Sequence, residues 1–246
     1  MFPIRDHNPS LATPVVTYGI IGLNLLVFLY QYALGTDTAA AYDFLARWAL
    51  FPALVSQGEG FPALVSHMFL HAGLLHLAGN MLFLWIFGDN LEDQMGHFGF
   101  LLFYLACGLA AAFGQILPDP QSDIPMVGAS GAIAGVMGGY LLLFPRARVD
   151  ILVIFILFFR IFQVPAWLML GLWFALQIFG GLGTPSAGGG VAYWAHAAGF
   201  LAGILLTRPT FLRRGAGGWW QANQGRPPHP ELATSPLSIP LVRRRK

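Results

Sequence analysis

The chain has 246 residues, of which 56% are hydrophobic and only 10% are charged. Soluble domains carry about a quarter charged residues, so this composition excludes an ordinary water-soluble protein. The net charge of +2 is small, but eight of the thirteen Lys and Arg residues lie at or beyond Arg208. Such a chain is expected to be embedded in a lipid bilayer, with its basic end outside the hydrocarbon.

Six apolar runs predict six membrane-spanning helices, because a bilayer core takes about 20 apolar residues per helix. They follow a polar arm of residues 1–14 and are roughly Val15–Leu34, Phe69–Gly88, Phe98–Leu117, Ser130–Phe144, Ala166–Gly180 and Val191–Thr207. The predicted fold is therefore an all-α bundle over residues 15–208. Residues 209–246 are rich in Pro, Gly and Arg and predict a disordered basic tail.

The segment Val149–Val164 decides between six and seven spans. It is apolar, but it is short and contains Asp150 and Arg160. With six spans and a cytoplasmic N-terminus, every basic residue except Arg47 is cytoplasmic, as the preference of Lys and Arg for cytoplasmic segments requires. A seventh span would place the basic tail outside. We therefore predict that both termini are cytoplasmic and that this segment lies at the inner membrane interface.

Polar side chains at membrane depth are costly and are candidates for function. His71, His76 and Asn80 lie in the second predicted span, Ser130 in the fourth and His196 in the sixth. The helical rise places Ser130, His196 and His76 roughly 18–21 Å above the inner boundary, and Asn80 about 14 Å above it. These side chains are thus expected to share one layer.

The chain from about Pro118 to Gly128 contains three prolines and must dip into the membrane without being helical. Such backbone is tolerated only when it is buried in protein or lines a watery cavity, so we expect a water-filled cavity open to the non-cytoplasmic side.

Glycines on two predicted spans indicate close helix packing beside these polar groups. They recur every four residues, as Gly131, Gly135 and Gly139 in the fourth span and Gly199 and Gly203 in the sixth. Such small-residue faces let helix backbones approach closely. A Ser–His hydrogen bond of about 2.6–3.2 Å between the two helices requires that approach.

A carboxylate to orient His196 is missing from the sequence, since residues 124–149 and 151–230 contain no Asp or Glu. A Ser–His dyad is the economical hypothesis, with Ser130 as nucleophile and His196 as base. The oxyanion would be stabilised by the Ser130 backbone N–H and the side chains of His76 and Asn80, which are donors aimed at developing charge.

Three motifs, taken together and in order, resemble the rhomboid family of intramembrane proteases. They are HAGLLHLAGN from His71 to Asn80, GASG from Gly128 to Gly131, and AHAAG from Ala195 to Gly199. The resemblance covers about Val15 to Arg208. It implies a Ser130–His196 dyad, oxyanion-hole side chains at His76 and Asn80, and structural or cavity-lining roles for His71, Gly128, Gly131 and Gly199.

The resemblance also implies the partners and the location. Family substrates are single-span membrane proteins, cut near helix-breaking residues, and no metal or organic cofactor is used. The lipid bilayer is the other partner, and no nucleic acid is expected. A compact six-span chain suggests the plasma membrane of a bacterium, crossed several times.

Two positions depart from the family pattern. The first loop has Phe61-Pro62-Ala63-Leu64 where the family has a Trp-Arg pair, so the loop must be anchored differently. Ala134 stands where the family commonly has an aromatic that stacks on the histidine, so either another ring supports His196 or its orientation is looser.

Two alternatives to a protease fit the sequence less well. A non-catalytic rhomboid-like scaffold that binds transmembrane clients typically loses the serine or the histidine, whereas this chain keeps both. A transporter or channel would need ionisable groups along a path through the membrane, whereas here the polar groups gather in one layer.

Overall fold

The computed structural model describes residues 2–8, 10–35, 37–155, 158–183 and 190–225. The fold is mostly helical. Its helices are α1 Val15–Leu34, α2 Thr38–Trp48, α3 Pro52–Ser56, α4 Ala63–Ser66, α5 Leu74–Met95, α6 His97–Ile116, α7 Ser130–Leu143, α8 Ala166–Gly183, α9 Tyr193–Arg213 and α10 Gly217–Asn223. Its strands are β1 Phe2–Asp6, β2 Arg148–Phe155 and β3 Phe158–Pro165.

The second predicted span is bent rather than continuous, and the prediction of one helix over Phe69–Gly88 is wrong. Helix α4 and the 3₁₀ turn His67–Phe69 make an angle of 94° with α5. His71 lies in the break between them rather than on the helix. The Gln31 side chain of α1 satisfies the backbone at this break. Its Oε1 accepts from His71 N at 3.1 Å, and its Nε2 donates to His71 O at 3.4 Å.

A three-stranded antiparallel sheet in the order β1-β2-β3 corrects the all-α class. The segment Val149–Val164, whose secondary structure the sequence left open, forms the β2–β3 hairpin, in which Val149 pairs with Val164. Valine, isoleucine and phenylalanine dominate it, and these side chains favour strands. The N-terminal arm supplies β1 and pairs Phe2 with Leu152. Buried Asp150 fastens this arm by accepting from Arg5 Nε at 2.6 Å.

Glu92 joins the start of α1 to the end of α5. Its side chain is 2% exposed, and its two carboxylate oxygens accept from the backbone N–H groups of Val16 and Thr17 at 2.9 and 2.8 Å. The Thr17 hydroxyl donates to it at 2.7 Å. The first N–H groups of a helix have no partner within the helix, so this carboxylate caps α1.

Helix α7 lies at the centre of the bundle, with every side chain from Gly131 to Tyr140 buried. Helix α9 packs along it and continues to Arg213. Helix α10 then folds back, and the indole N–H groups of Trp219 and Trp220 donate to the carbonyls of Leu143 and Leu142. The predicted disordered tail therefore does not begin at residue 209, because residues 209–225 are folded. Residues 226–246 lie outside the described part.

Three of the described helices are long and apolar enough to cross a membrane, namely α1, α6 and α8. The bent pair formed by α4 and α5 would make a fourth span, and α7 is apolar but shorter. These helices make the chain a membrane protein. The count of six spans stays a prediction.

Candidate active site

The Ser130 hydroxyl and the His196 imidazole meet at the ends of two adjacent helices. Ser130 is the first residue of α7, and His196 is in the first turn of α9. Ser130 Oγ lies 2.8 Å from His196 Nε2. Since the hydroxyl is the donor when this nitrogen carries a lone pair, the contact is the one a general base needs. The two residues come from positions 66 apart in the chain.

Glycines bring these two helices to contact distance. A Cβ on Gly199 would collide with the carbonyl oxygen of Gly131, and a Cβ on Gly203 would collide with that of Gly135. The predicted glycine faces therefore pack against each other directly. Any larger residue would push α9 away from α7 and lengthen the Ser130–His196 contact.

Gly128 allows the His76 ring to pack close to the backbone beside Ser130. Its φ of +126° lies in a region that favours glycine. A Cβ built there would lie 2.8 Å from His76 Nε2 and 3.6 Å from Ser130 Oγ. The His76 ring therefore lies against the Gly128 backbone, close to the serine hydroxyl. The Gly128 N–H donates to the His67 carbonyl at 2.9 Å, which ties this loop to the bend before α5.

Asn80 and His71 support the His76 side of the site. Asn80 is buried, one turn beyond His76 on α5, and its Nδ2 lies 2.9 Å from His71 Nε2. The rings of His71 and His76 have centroids 5.1 Å apart. An amide carries two N–H donors, so Asn80 retains a second one. The structure thus brings these three predicted residues together, and His76 is the one that lies next to Gly128.

Two residues of α8 also belong to the site, and the sequence analysis missed both. Gln177 Oε1 lies 2.8 Å from His196 Nδ1. The Trp173 ring lies 5.6 Å from the His196 ring, at an interplanar angle of 36°. Trp173 is therefore the ring that supports His196, where the sequence has only Ala134 on α7. Gln177 is the one amide in an apolar helix, so the rule that selected His76 and Asn80 could have selected it too.

The first loop is anchored by backbone pairing and a small apolar cluster, without a Trp-Arg pair. Leu50 and Met126 exchange backbone hydrogen bonds of 3.1 and 2.8 Å. Ala63, from the departing Phe61-Pro62-Ala63-Leu64 stretch, is buried in the same cluster as both. The Ser66 hydroxyl also donates to the Trp48 carbonyl at 2.7 Å. These contacts hold the loop against the strand-like segment that precedes Gly128.

Two pockets of the described residues lie far along α6 and α9 from the serine. One has a volume of about 320 Å³ and is lined by Leu102, Phe103 and Arg213 among others. It is mainly apolar and is not the predicted aqueous cavity. That cavity and its opening to the non-cytoplasmic side remain predictions.

The sequence profile of the Rhomboid domain matches residues 59–213. The chain belongs to the rhomboid family. In this rhomboid the matched segment begins just before α4 and ends with α9, so it contains the serine, the histidine and both residues of α8.

Three relatives illustrate the likeness of this rhomboid to known proteins. Rhomboid protease GlpG of Serratia proteamaculans is 32% identical over 199 residues, which are 80% of this chain and 63% of that protein. Rhomboid protease GluP of Bacillus subtilis is 37% identical over 128 residues, 52% of this chain and 24% of that protein. Rhomboid protein 1, mitochondrial, of Saccharomyces cerevisiae is 28% identical over 198 residues, 77% and 51% of the two chains. This rhomboid thus spans less than two thirds of each relative.

Proposed function

We propose that this rhomboid is an intramembrane serine endopeptidase that hydrolyses peptide bonds in or near the transmembrane segments of single-span membrane proteins. The observation that carries the proposal is the 2.8 Å contact between Ser130 Oγ and His196 Nε2. Several of its relatives are named as proteases, which supports the same reaction class.

In the proposed reaction His196 takes the Ser130 proton as Oγ attacks the substrate carbonyl carbon. The oxyanion then forms beside the start of α7, where the Ser130 backbone N–H is free of an intrahelical partner. His76 and the second N–H of Asn80 add donors on the side bordered by Gly128. His196 passes its proton to the leaving amine as the peptide C–N bond breaks. Water then attacks the acyl-enzyme and gives a proton to His196, which returns it to Ser130 Oγ as the ester bond breaks and the acid product leaves.

The proposed topology has six spans, both termini in the cytoplasm, and the site in a water-filled cavity open to the non-cytoplasmic side. Helix α7 supports the proposed depth of the site, because its 14 residues are shorter than the roughly 20 that a bilayer core takes. A serine at its first residue would therefore lie beneath the membrane surface. We assign the chain to the plasma membrane of a bacterium.

The test is covalent labelling by a fluorophosphonate, followed by cleavage of a labelled single-span substrate in liposomes. Wild-type protein should be labelled at Ser130 and should release product. Ser130→Ala and His196→Ala should each abolish both signals while the protein stays folded, because each removes one reacting group. Ser56→Ala, at an exposed serine of α3, is the matched control and should behave as wild type.

Two outcomes would contradict the proposal. Product formation by the Ser130→Ala, His196→Ala double variant would exclude this dyad as the catalyst. Tight binding of the substrate by wild-type protein, with neither labelling nor product, would favour the non-catalytic scaffold instead.

A further inference from the structure

Gln177 gives His196 a second polar partner on a third helix. The amide is 8% exposed and belongs to α8, whereas His196 belongs to α9 and Ser130 to α7. Its Oε1 lies 2.8 Å from His196 Nδ1, the ring nitrogen that faces away from the serine. The imidazole is thus held at both nitrogens, by a hydroxyl on one side and an amide on the other.

The orientation of this amide is decided by its own helix. Gln177 Nε2 donates to the Trp173 carbonyl at 3.1 Å. A carbonyl can only accept, so turning the amide over would set its oxygen against another oxygen. The amide nitrogen therefore stays on Trp173, and Oε1 is the atom presented to His196.

We propose that Gln177 is a positioning residue that selects the His196 tautomer needed for catalysis. Because Oε1 can only accept, His196 Nδ1 must carry the hydrogen, which leaves the lone pair on Nε2 facing Ser130 Oγ. The Trp173 ring, at 5.6 Å between centroids, limits rotation of the imidazole from the same helix. Gln177 thus does with a neutral amide what a carboxylate does in a Ser-His-Asp triad. The inference rests on the proposed function.

Two variants of Gln177 distinguish its role as a hydrogen-bond acceptor from its role in packing. Gln177→Met keeps the length and removes the acceptor, so the rate of fluorophosphonate labelling and kcat should fall on the order of 10- to 100-fold, with KM little changed, because the buried Nδ1–H of His196 loses its partner. Gln177→Glu keeps an acceptor for His196 but loses the donor to the Trp173 carbonyl, so it should retain more of the rate than Gln177→Met. Its carboxylate also favours the imidazolium, so the acidic limb of its pH–rate profile should move to higher pH. Leu176→Met, at the exposed neighbouring position, should match wild type.

The outcomes are distinguishable from failure of the proposed function. If wild-type Ser130 is not labelled, the protease proposal fails. If wild-type protein is labelled and Gln177→Met matches it, the positioning role alone is wrong. Equal losses in the Met and Glu variants, with the pH profile unmoved, would show a packing role only and overturn the proposal. Should the Met variant not fold, the pH–rate profile of the Glu variant decides, since an acidic limb that stays in place would contradict the acceptor role and overturn the proposal.

Discussion

The lack of a side chain at Gly128 allows the His76 ring to lie close to the backbone beside Ser130. Its backbone is in a conformation that costs other residues energy, and the position of its absent Cβ lies 2.7 Å from His76 Cε1. A methyl group there would push the His76 ring away from its place near the serine hydroxyl. In the proposed reaction that ring supplies a donor to the oxyanion.

Gly128→Ala should therefore abolish most labelling of Ser130 by a fluorophosphonate. It should also destabilise the protein by about 1–3 kcal/mol, from the strained backbone and the overpacked ring. Labelling rates and thermal unfolding in detergent measure the two effects. Gly79→Ala is the control, because nothing lies within 4 Å of its Cβ position in α5. If Gly128→Ala is labelled at the wild-type rate, the position of the His76 ring beside Gly128 does not matter for the reaction.

At the scale of elements, the contact between α7 and α9 determines the distance between the Ser130 hydroxyl and the His196 imidazole. The helices touch through backbone atoms at Gly135 and Gly203, between one and two turns after the serine and the histidine along their helices. Helices are stiff, so a displacement at this level is transmitted to their ends. The glycines at this contact therefore set the distance between Ser130 and His196, although their own atoms take no part in the proposed reaction.

Gly203→Ala should lower the free energy of unfolding by about 1–3 kcal/mol, since its Cβ has no room beside the Gly135 carbonyl. It should also reduce cleavage, because His196 moves with α9. Thermal unfolding and substrate cleavage in liposomes test both effects. Gly171→Ala in α8, where nothing lies within 4 Å of the Cβ position, should change neither. A stable and fully active Gly203 variant would contradict the packing argument.

At the scale of the whole molecule, the N-terminal arm is held against the C-terminal end of α7. Strand β1 pairs with β2, and the Tyr140 hydroxyl of α7 donates to Asp6 Oδ2 at 2.6 Å. Burial raises the pKa of Asp6 from 3.8 to about 7, and the Tyr140 hydrogen bond only partly opposes this. The carboxyl therefore favours the folded state when protonated.

The stability contributed by Asp6 should be lost as pH rises. It is fully present below the unfolded pKa of 3.8 and disappears as pH passes the folded pKa of about 7. Asp6→Asn keeps the acceptor for Tyr140 and removes the ionisation, so its unfolding temperature should fall less than that of wild type between pH 5 and pH 8. Asp43→Asn, at an exposed position of α2, is the control. Equal losses in wild type and Asp6→Asn would contradict the assignment.

The positions of several helices could be predicted, because the length of an apolar run can be counted directly in the sequence. Helices α1, α6, α7 and α8 begin at or within one residue of the predicted positions. The bend at His71 could not, since the Gln31 side chain that satisfies its backbone lies 40 residues earlier. Nor could the sheet, whose first strand pairs with residues more than 140 positions away.

The pairing of Ser130 with His196 could be predicted from the sequence, because helical rise and glycine spacing indicate that both side chains lie at a similar level on two close-packed helices. The surroundings of His196 could not, since they depend on the packing of a third helix. Gln177 and Trp173 reach it from α8, and the direction in which a helix presents one amide or one ring depends on its rotation against its neighbours. The type and spacing of side chains predict the position of a residue along its helix. The direction in which its side chain points depends on how the helix packs against its neighbours.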